Sequence, residues 1–218
     1  MKLYILGVRV MKKFSSKKIA GLSVLTAISV LLGFLSFPVL PMVKFLEYDF
    51  ADVPIFIATF MYGPMSGLLV TAITSIIQGI TVSASSGIIG ITMHFIATGA
   101  YVLVGGNIYK RHKTFKTAII ALVSGATTAI LFMIPLNLLL TPLFVGPIES
   151  YTNNTKMIFN NLLVYIIAFN VIKFFGNSLV TLVLYKRTKN LFTKIGDFSD
   201  KKQKSSIQEN NNIPNNDN

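Results

Sequence analysis

The chain has 218 residues, of which 52% are hydrophobic and only 13% charged, with a net charge of +12 and a mean hydropathy of +0.64. An ordinary soluble domain carries roughly 25% charged residues, so this composition excludes a soluble globular enzyme, a disordered chain and a nucleic-acid-binding module. Cysteine is absent and histidine is limited to His94 and His112, so neither a disulfide framework nor a metal site is expected.

The charges divide the chain into spans. No Asp, Glu, Lys or Arg occurs from Ile19 to Val43, from Val53 to Tyr109 or from Thr117 to Ile148, and Met157 to Tyr185 holds only Lys173. Crossing the hydrocarbon core takes about 20 apolar residues. Backbone groups in lipid must pair within their own segment, so these stretches are helices. The first is expected over Ile19–Leu40. It is too long for a signal-peptide core, and Phe37-Pro38-Val39-Leu40-Pro41 offers no small-residue cleavage site. The second gap is too long for one span, and Tyr62-Gly63-Pro64 and Ser83-Ala84-Ser85-Ser86-Gly87 read as turns within it. This predicts a short helix from about Asp52 to Met61, a second from Pro64 to about Val82 and a third from Gly87 to about Tyr109. Helices over Thr117–Leu140 and Asn160–Tyr185 complete an all-α integral membrane protein of six helices. The Asp52 helix is too short to cross alone and must be partly buried in protein.

Seventeen of the twenty basic residues fall before the first helix, between the fourth and fifth, and after the sixth; Lys44, Lys156 and Lys173 are the others. The positive-inside rule places both termini in the cytoplasm. The excess positive charge is thus a topology signal, with attraction to lipid headgroups secondary and no nucleic-acid partner implied. Residues 1–16 form a basic cytoplasmic segment, 17–190 the membrane domain, and 191–218 a polar, Asn-rich tail with too little apolar content to fold.

Polar residues inside spans carry the functional information, because lipid penalises them. Lys173 lies near the middle of the last helix, with Asn170 and Asn177 at helical spacing on the same face. That face points into protein or an aqueous cavity. Lys173 and Asn170 read as ligand or counter-ion groups, and Asn177 as structural. At the outer face, Lys44, Glu47, Tyr48, Asp49 and Asp52 form a polar loop that folds over an outward-facing pocket; Leu46, Glu47, Tyr48 and Asp49 are taken as ligand-binding candidates. Asn137, just after the helix-interrupting Pro135, reaches the same region. His94 joins the candidates, although a lone histidine in a helix is more often a packed, hydrogen-bonded residue. Gln78 reads as structural. In the first helix Ala20, Ser23 and Ala27 form a small-residue stripe that lets another helix approach closely.

The order of these features resembles the S-components of energy-coupling-factor (ECF) vitamin transporters. Glu47-Tyr48-Asp49-Phe50-Ala51-Asp52-Val53-Pro54, then Tyr62-Gly63-Pro64, then Asn170-x-x-Lys173 resemble the riboflavin-specific subfamily, across roughly residues 15–190. The resemblance implies a bacterial cell-membrane subunit that binds riboflavin from outside. It delivers the vitamin with a transmembrane coupling subunit and two cytosolic ATPases, thought to be by toppling in the membrane. It implies no cofactor and no catalytic residue, and it assigns Ser23 and Ala27, with Ala20 beside them, to docking on the coupling subunit. Family members typically carry two Ala at that spacing; Ser23 departs from the pattern but is small. Lys173 and the amides of Asn170 and Asn137 match the carbonyls and N–H of the isoalloxazine ring, and Glu47 and Asp49 the ribityl hydroxyls. The competing readings are an S-component for another vitamin, a non-transporting scaffold and an intramembrane enzyme. A thiamine binder would more naturally offer extra carboxylates. An enzyme would need a nucleophile–base pair or metal cluster that no spacing here supplies. No G-x-x-x-x-G-K-[ST] motif occurs, so ATP-driven transport requires partner ATPases.

Overall fold

The computed structural model describes residues 16–82, 87–145 and 147–211, with side chains as far as Arg187 except at 144, 145 and 148. In chain order it contains α1 (Ser16–Gly33), β1 (Phe37–Pro38), a 3-10 turn (Pro41–Val43), β2 (Glu47–Tyr48), α2 (Asp52–Tyr62), α3 (Pro64–Ile80), α4 (Gly87–Arg111), α5 (Phe115–Leu140), α6 (Pro142–Val145), α7 (Tyr151–Met157), a π turn (Ile158–Leu162) and α8 (Leu163–Asn211). Among the described residues, four helical stretches are long and apolar enough to cross a membrane: α1, α4, α5 and the continuous run Tyr151–Arg187.

α2 and α3 have 11 and 17 residues. At 1.5 Å per residue α2 spans roughly 16 Å, about half the hydrocarbon thickness. It is apolar on all sides, as a central helix must be, and Val53, Ile55, Phe56, Ala58 and Phe60 are all buried. Its neighbours are α1, α3, α4 and α8. The α2–α3 break follows from Gly63, whose φ of 91° suits glycine, and from Pro64, whose missing N–H costs nothing at the first helical position.

The first helix departs from expectation. It ends at Gly33, and Phe37–Pro38 pairs antiparallel with Glu47–Tyr48. Charge spacing cannot see this end. Pro38 and Pro41 remove two backbone donors and restrict the residues before them, so an apolar run becomes a hairpin. The last helix also differs. It runs on to Asn211, past residue 191, where composition predicts an unstructured tail. Its Lys, Gln, Ser and Glu residues are tolerated in a helix, and Gly196 is the one strong breaker before Pro214. The basic segment before Ser16 and the turn over residues 83–86 lie outside the described residues.

α4 and α5 make the most intimate contact, backbone against backbone. A Cβ on Gly105 would stand 2.8 Å from the Ala121 carbonyl oxygen, and one on Gly125 3.0 Å from that of Tyr101. Ala118, Ala121, Ala126 and Ala129 are buried along the same α5 stripe, the small-residue packing that membrane helices use in place of a hydrophobic driving force. Below the site described next, the interior is filled by aromatic rings. Phe56 stacks on Tyr101 at 3.7 Å, and Phe60, Tyr109, Tyr185 and Phe115 form a second group. Outward faces carry Ile19, Val24, Leu31, Ile76, Ile120, Leu131, Val164 and Leu179, all exposed. A water-soluble monomer does not spread apolar surface this widely; lipid accepts it.

Gly105→Leu is expected to lower the thermal unfolding midpoint in detergent by several degrees, since overpacking costs about 1–3 kcal/mol. Leu131→Ala, at an exposed site on the neighbouring helix, should leave it unchanged. Equal midpoints for Gly105→Leu and the unmodified chain would contradict the packing described.

Candidate ligand site

The site is assembled by one face of α8, the β1–β2 hairpin and the first turn of α2. Asn170, Lys173 and Asn177 recur at helical spacing, so one stripe of α8 presents an ammonium between two amides. The hairpin folds over this stripe. Val43 at its turn is fully buried against Ile158 and Ile166, with Leu40, Leu46, Leu138 and Leu162 packed around them.

Lys173 Nζ donates to Asp49 Oδ2 at 2.7 Å, with both side chains largely buried. The other carboxylate oxygen, Oδ1, accepts from the Ala51 N–H at 2.8 Å, a turn that leads directly into α2. Asp49 therefore anchors a membrane-embedded cation and shapes the loop that carries it. Asp52, fully buried in the first turn of α2, forms a second centre. Its Oδ1 accepts from His94 Nε2 at 3.1 Å and Thr98 Oγ1 at 3.0 Å, and its Oδ2 from Asn177 Nδ2 at 3.3 Å. The position at a helix N-terminus also favours its negative charge. His94 Nδ1 lies 2.7 Å from Ser75 Oγ.

Tyr48 is buried and donates its hydroxyl to Asn177 Oδ1 at 2.9 Å. Its ring meets Phe50 edge-on at 5.1 Å and Phe37 at 5.6 Å. Burial raises the phenol above its ordinary value, against the opposing pull of Lys173, so it remains a neutral donor. Ser29 Oγ, on α1, donates to the Ala51 carbonyl at 2.6 Å and ties the loop to the first helix.

The sequence candidates occupy different parts of this arrangement. Tyr48, Asp49 and Lys173 are directly connected to the polar network, and His94 joins it through Asp52. His94 has both ring nitrogens engaged, by Ser75 and Asp52, and so is a network member. Asn170 lies one turn from Lys173. Its Nδ2 donates to the Ile166 carbonyl at 2.8 Å, while its buried Oδ1 has no partner among the described residues. An unmatched acceptor beside an ammonium suits a polar ligand with both donors and acceptors, because leaving such a group unpaired is costly. Asn137 is fully buried near the end of α5. It donates to the Met133 carbonyl and accepts from Thr141 Oγ1, both within its own segment. Glu47 sits exposed at the hairpin rim and accepts from Ser36 Oγ at 2.6 Å. Leu46 is half-buried in the apolar cluster under the hairpin.

Sequence reasoning did not select Asp52, Ser75, Thr98 or Asn177 as site residues. Asp52 had a visible signal, an acid opening an otherwise apolar helix. Ser75 and Thr98 had none, since both types are common in membrane helices. Ala20, Ser23 and Ala27 lie elsewhere, exposed on α1. Ser23 and Ala27 line an apolar groove of about 630 Å³ between α1 and α3, with Leu22, Thr26, Leu69 and Ile73.

Comparison with known proteins agrees with this architecture. The family model described as ECF transporter, substrate-specific component, matches residues 17–185. The chain is 29% identical to riboflavin transporter RibU of Staphylococcus aureus (strain TCH60), over 87% of this chain and 99% of that protein. It is 30% identical to riboflavin transporter FmnP of Bacillus subtilis (strain 168), over 72% of this chain and 84% of that protein. A solved structure described as the S component of a bacterial ECF transporter superposes with a TM-score of 0.67 at 27% identity, covering 80% of this chain and 96% of that one. The family model spans most of the chain, membrane-length helices included, and the chain belongs to the family of ECF transporter substrate-specific components.

Proposed function

We propose that this chain is the riboflavin-binding subunit of an ECF transporter in a bacterial cell membrane. It takes the vitamin from outside and delivers it with a transmembrane coupling subunit and two cytosolic ATPases. The observation that carries the reading is the α8 stripe: Lys173 held by Asp49, with the unmatched Asn170 Oδ1 one turn away. Two relatives named as riboflavin transporters support the choice of vitamin. Six spans, α1 to α5 and the Tyr151–Arg187 run, put both termini in the cytoplasm, in accord with the basic residues.

The ligand chemistry follows from the side chains. Isoalloxazine has a pyrimidine edge with carbonyls and an N–H, and a dimethylbenzene edge that is apolar. Lys173 has three donors, of which Asp49 takes one, leaving N–H groups for ring carbonyls. Asn170 Oδ1 accepts the ring N–H, and the Asn137 amide serves the same edge after a change of partner. Leu46 and the apolar cluster around Val43 receive the dimethylbenzene edge. Glu47, at the rim, and Asp49 accept from ribityl hydroxyls. His94 acts by holding Asp52.

Ser23 and Ala27, with Ala20 beside them, form the docking face for the coupling subunit. Small side chains at the floor of the α1–α3 groove admit a partner helix closely. The aromatic filling between Phe56 and Tyr185 supports delivery by movement of the whole loaded subunit, with no passage through its centre.

Lys173→Ala and Asn170→Ala should each weaken riboflavin binding by roughly tenfold or more in a fluorescence-quenching titration, the size expected for a lost buried hydrogen bond to a charged or unpaired group. Unchanged affinity in both variants would refute the assignment of this stripe. Ala27→Leu should reduce co-purification of the coupling subunit while riboflavin binding stays intact. Full assembly in that variant would remove the groove as the docking face.

A further inference from the structure

We propose that Asn177 is a positioning residue that latches the first outer loop over the ligand site and so sets how fast a bound molecule leaves. The proposal rests on the riboflavin reading for its ligand, but its structural core does not.

Asn177 is fully buried and uses one amide to bind three separate points. Its Oδ1 accepts from the Tyr48 hydroxyl at 2.9 Å. Its Nδ2 donates to the Asp49 backbone carbonyl at 3.0 Å and to Asp52 Oδ2 at 3.3 Å. Both amide hydrogens are thereby engaged and β2, the connecting turn and α2 are all fastened to α8. Asp49 is gripped at both ends, its carbonyl by Asn177 and its carboxylate by Lys173. The direction of the Lys173 ammonium therefore depends on an amide one turn away. Gly176 completes the seat: a Cβ there would come within 2.8 Å of the Tyr48 hydroxyl oxygen. The amide is itself oriented from behind, because Asp52 is held by His94 and Thr98, and His94 by Ser75. A connected chain thus runs from α3 and α4 through α2 to α8 and ends on the loop. All three partners, Tyr48, Asp49 and Asp52, lie on the short stretch that leads from β2 into α2, so a single amide holds the whole connection.

The absence of cysteine makes the latch directly measurable. Val43, fully buried beneath the hairpin, is replaced by Val43→Cys in the full-length protein in detergent, and its reaction with a small water-soluble maleimide is timed without ligand. Adding Asn177→Leu should accelerate labelling by roughly tenfold, and Tyr48→Phe, which removes a single hydroxyl, by a few-fold. In the chain without Val43→Cys, the same two changes should speed riboflavin dissociation by a similar factor with little change in association. Ser178→Ala is the control. It lies beside Asn177 on α8, removes a buried bond to Tyr101 of α4 and should lower stability without changing either rate. Labelling and dissociation rates equal to those of the parent in Tyr48→Phe and in any folded Asn177→Leu would overturn the latch. Accelerated labelling in the two variants, with a parent protein that binds no riboflavin, would uphold the latch and overturn the ligand.

Discussion

A cation inside a membrane must be paired, and the Lys173–Asp49 contact is the constraint around which the hairpin end of this molecule is arranged. Removing one partner of a buried pair costs about 3–5 kcal/mol, because the remaining charge has nowhere to go. The partner of Lys173 lies 124 positions earlier in the chain. The loop after α1 must therefore return over α8. Its hairpin, the Tyr48 ring and the turn that opens α2 all take positions set by that return. Asp49 serves both demands at once, offering one oxygen to the ammonium and the other to the Ala51 N–H.

The same logic is repeated at Asp52, deeper and without exposure. Its donors come from α4 and α8, so a carboxylate at the start of the central helix draws three elements together. α2 is able to occupy the centre because it is short and apolar all round, and because small residues elsewhere let the outer helices close tightly. On the proposed reading, ligand recognition and assembly are then spatially separate. The polar face of α8 lies under the hairpin, whereas the α1–α3 groove is almost wholly apolar. Substitutions at one can be read without disturbing the other.

Much of this was legible in the sequence because charge is so scarce. Lys173, Asn170 and the Glu47–Asp52 acids stand out against apolar surroundings, and Tyr62-Gly63-Pro64 marks the α2–α3 break. The hairpin was not legible, because Phe34–Val43 is apolar enough to pass for helix and only Pro38 and Pro41 hint otherwise. The pairing of Lys173 with Asp49, and of Asp52 with His94, was also hidden: both are long-range contacts that no local spacing encodes. Asn177 illustrates the difficulty best. Its place on the Lys173 face was evident, yet its three partners belong to a loop whose return path the sequence does not specify. Helical continuation of α8 past residue 191 was missed for a different reason, since a polar composition argues against a core but not against a helix.

The most direct measurement is to purify the full-length protein in detergent, denature it and identify any small molecule released, adding riboflavin to the folded protein if none is found. The account predicts released flavin identified as riboflavin, or strong quenching of added riboflavin fluorescence near one molecule per chain. A colourless protein that leaves riboflavin fluorescence unchanged would contradict it, and the site at Lys173 would then belong to a different ligand.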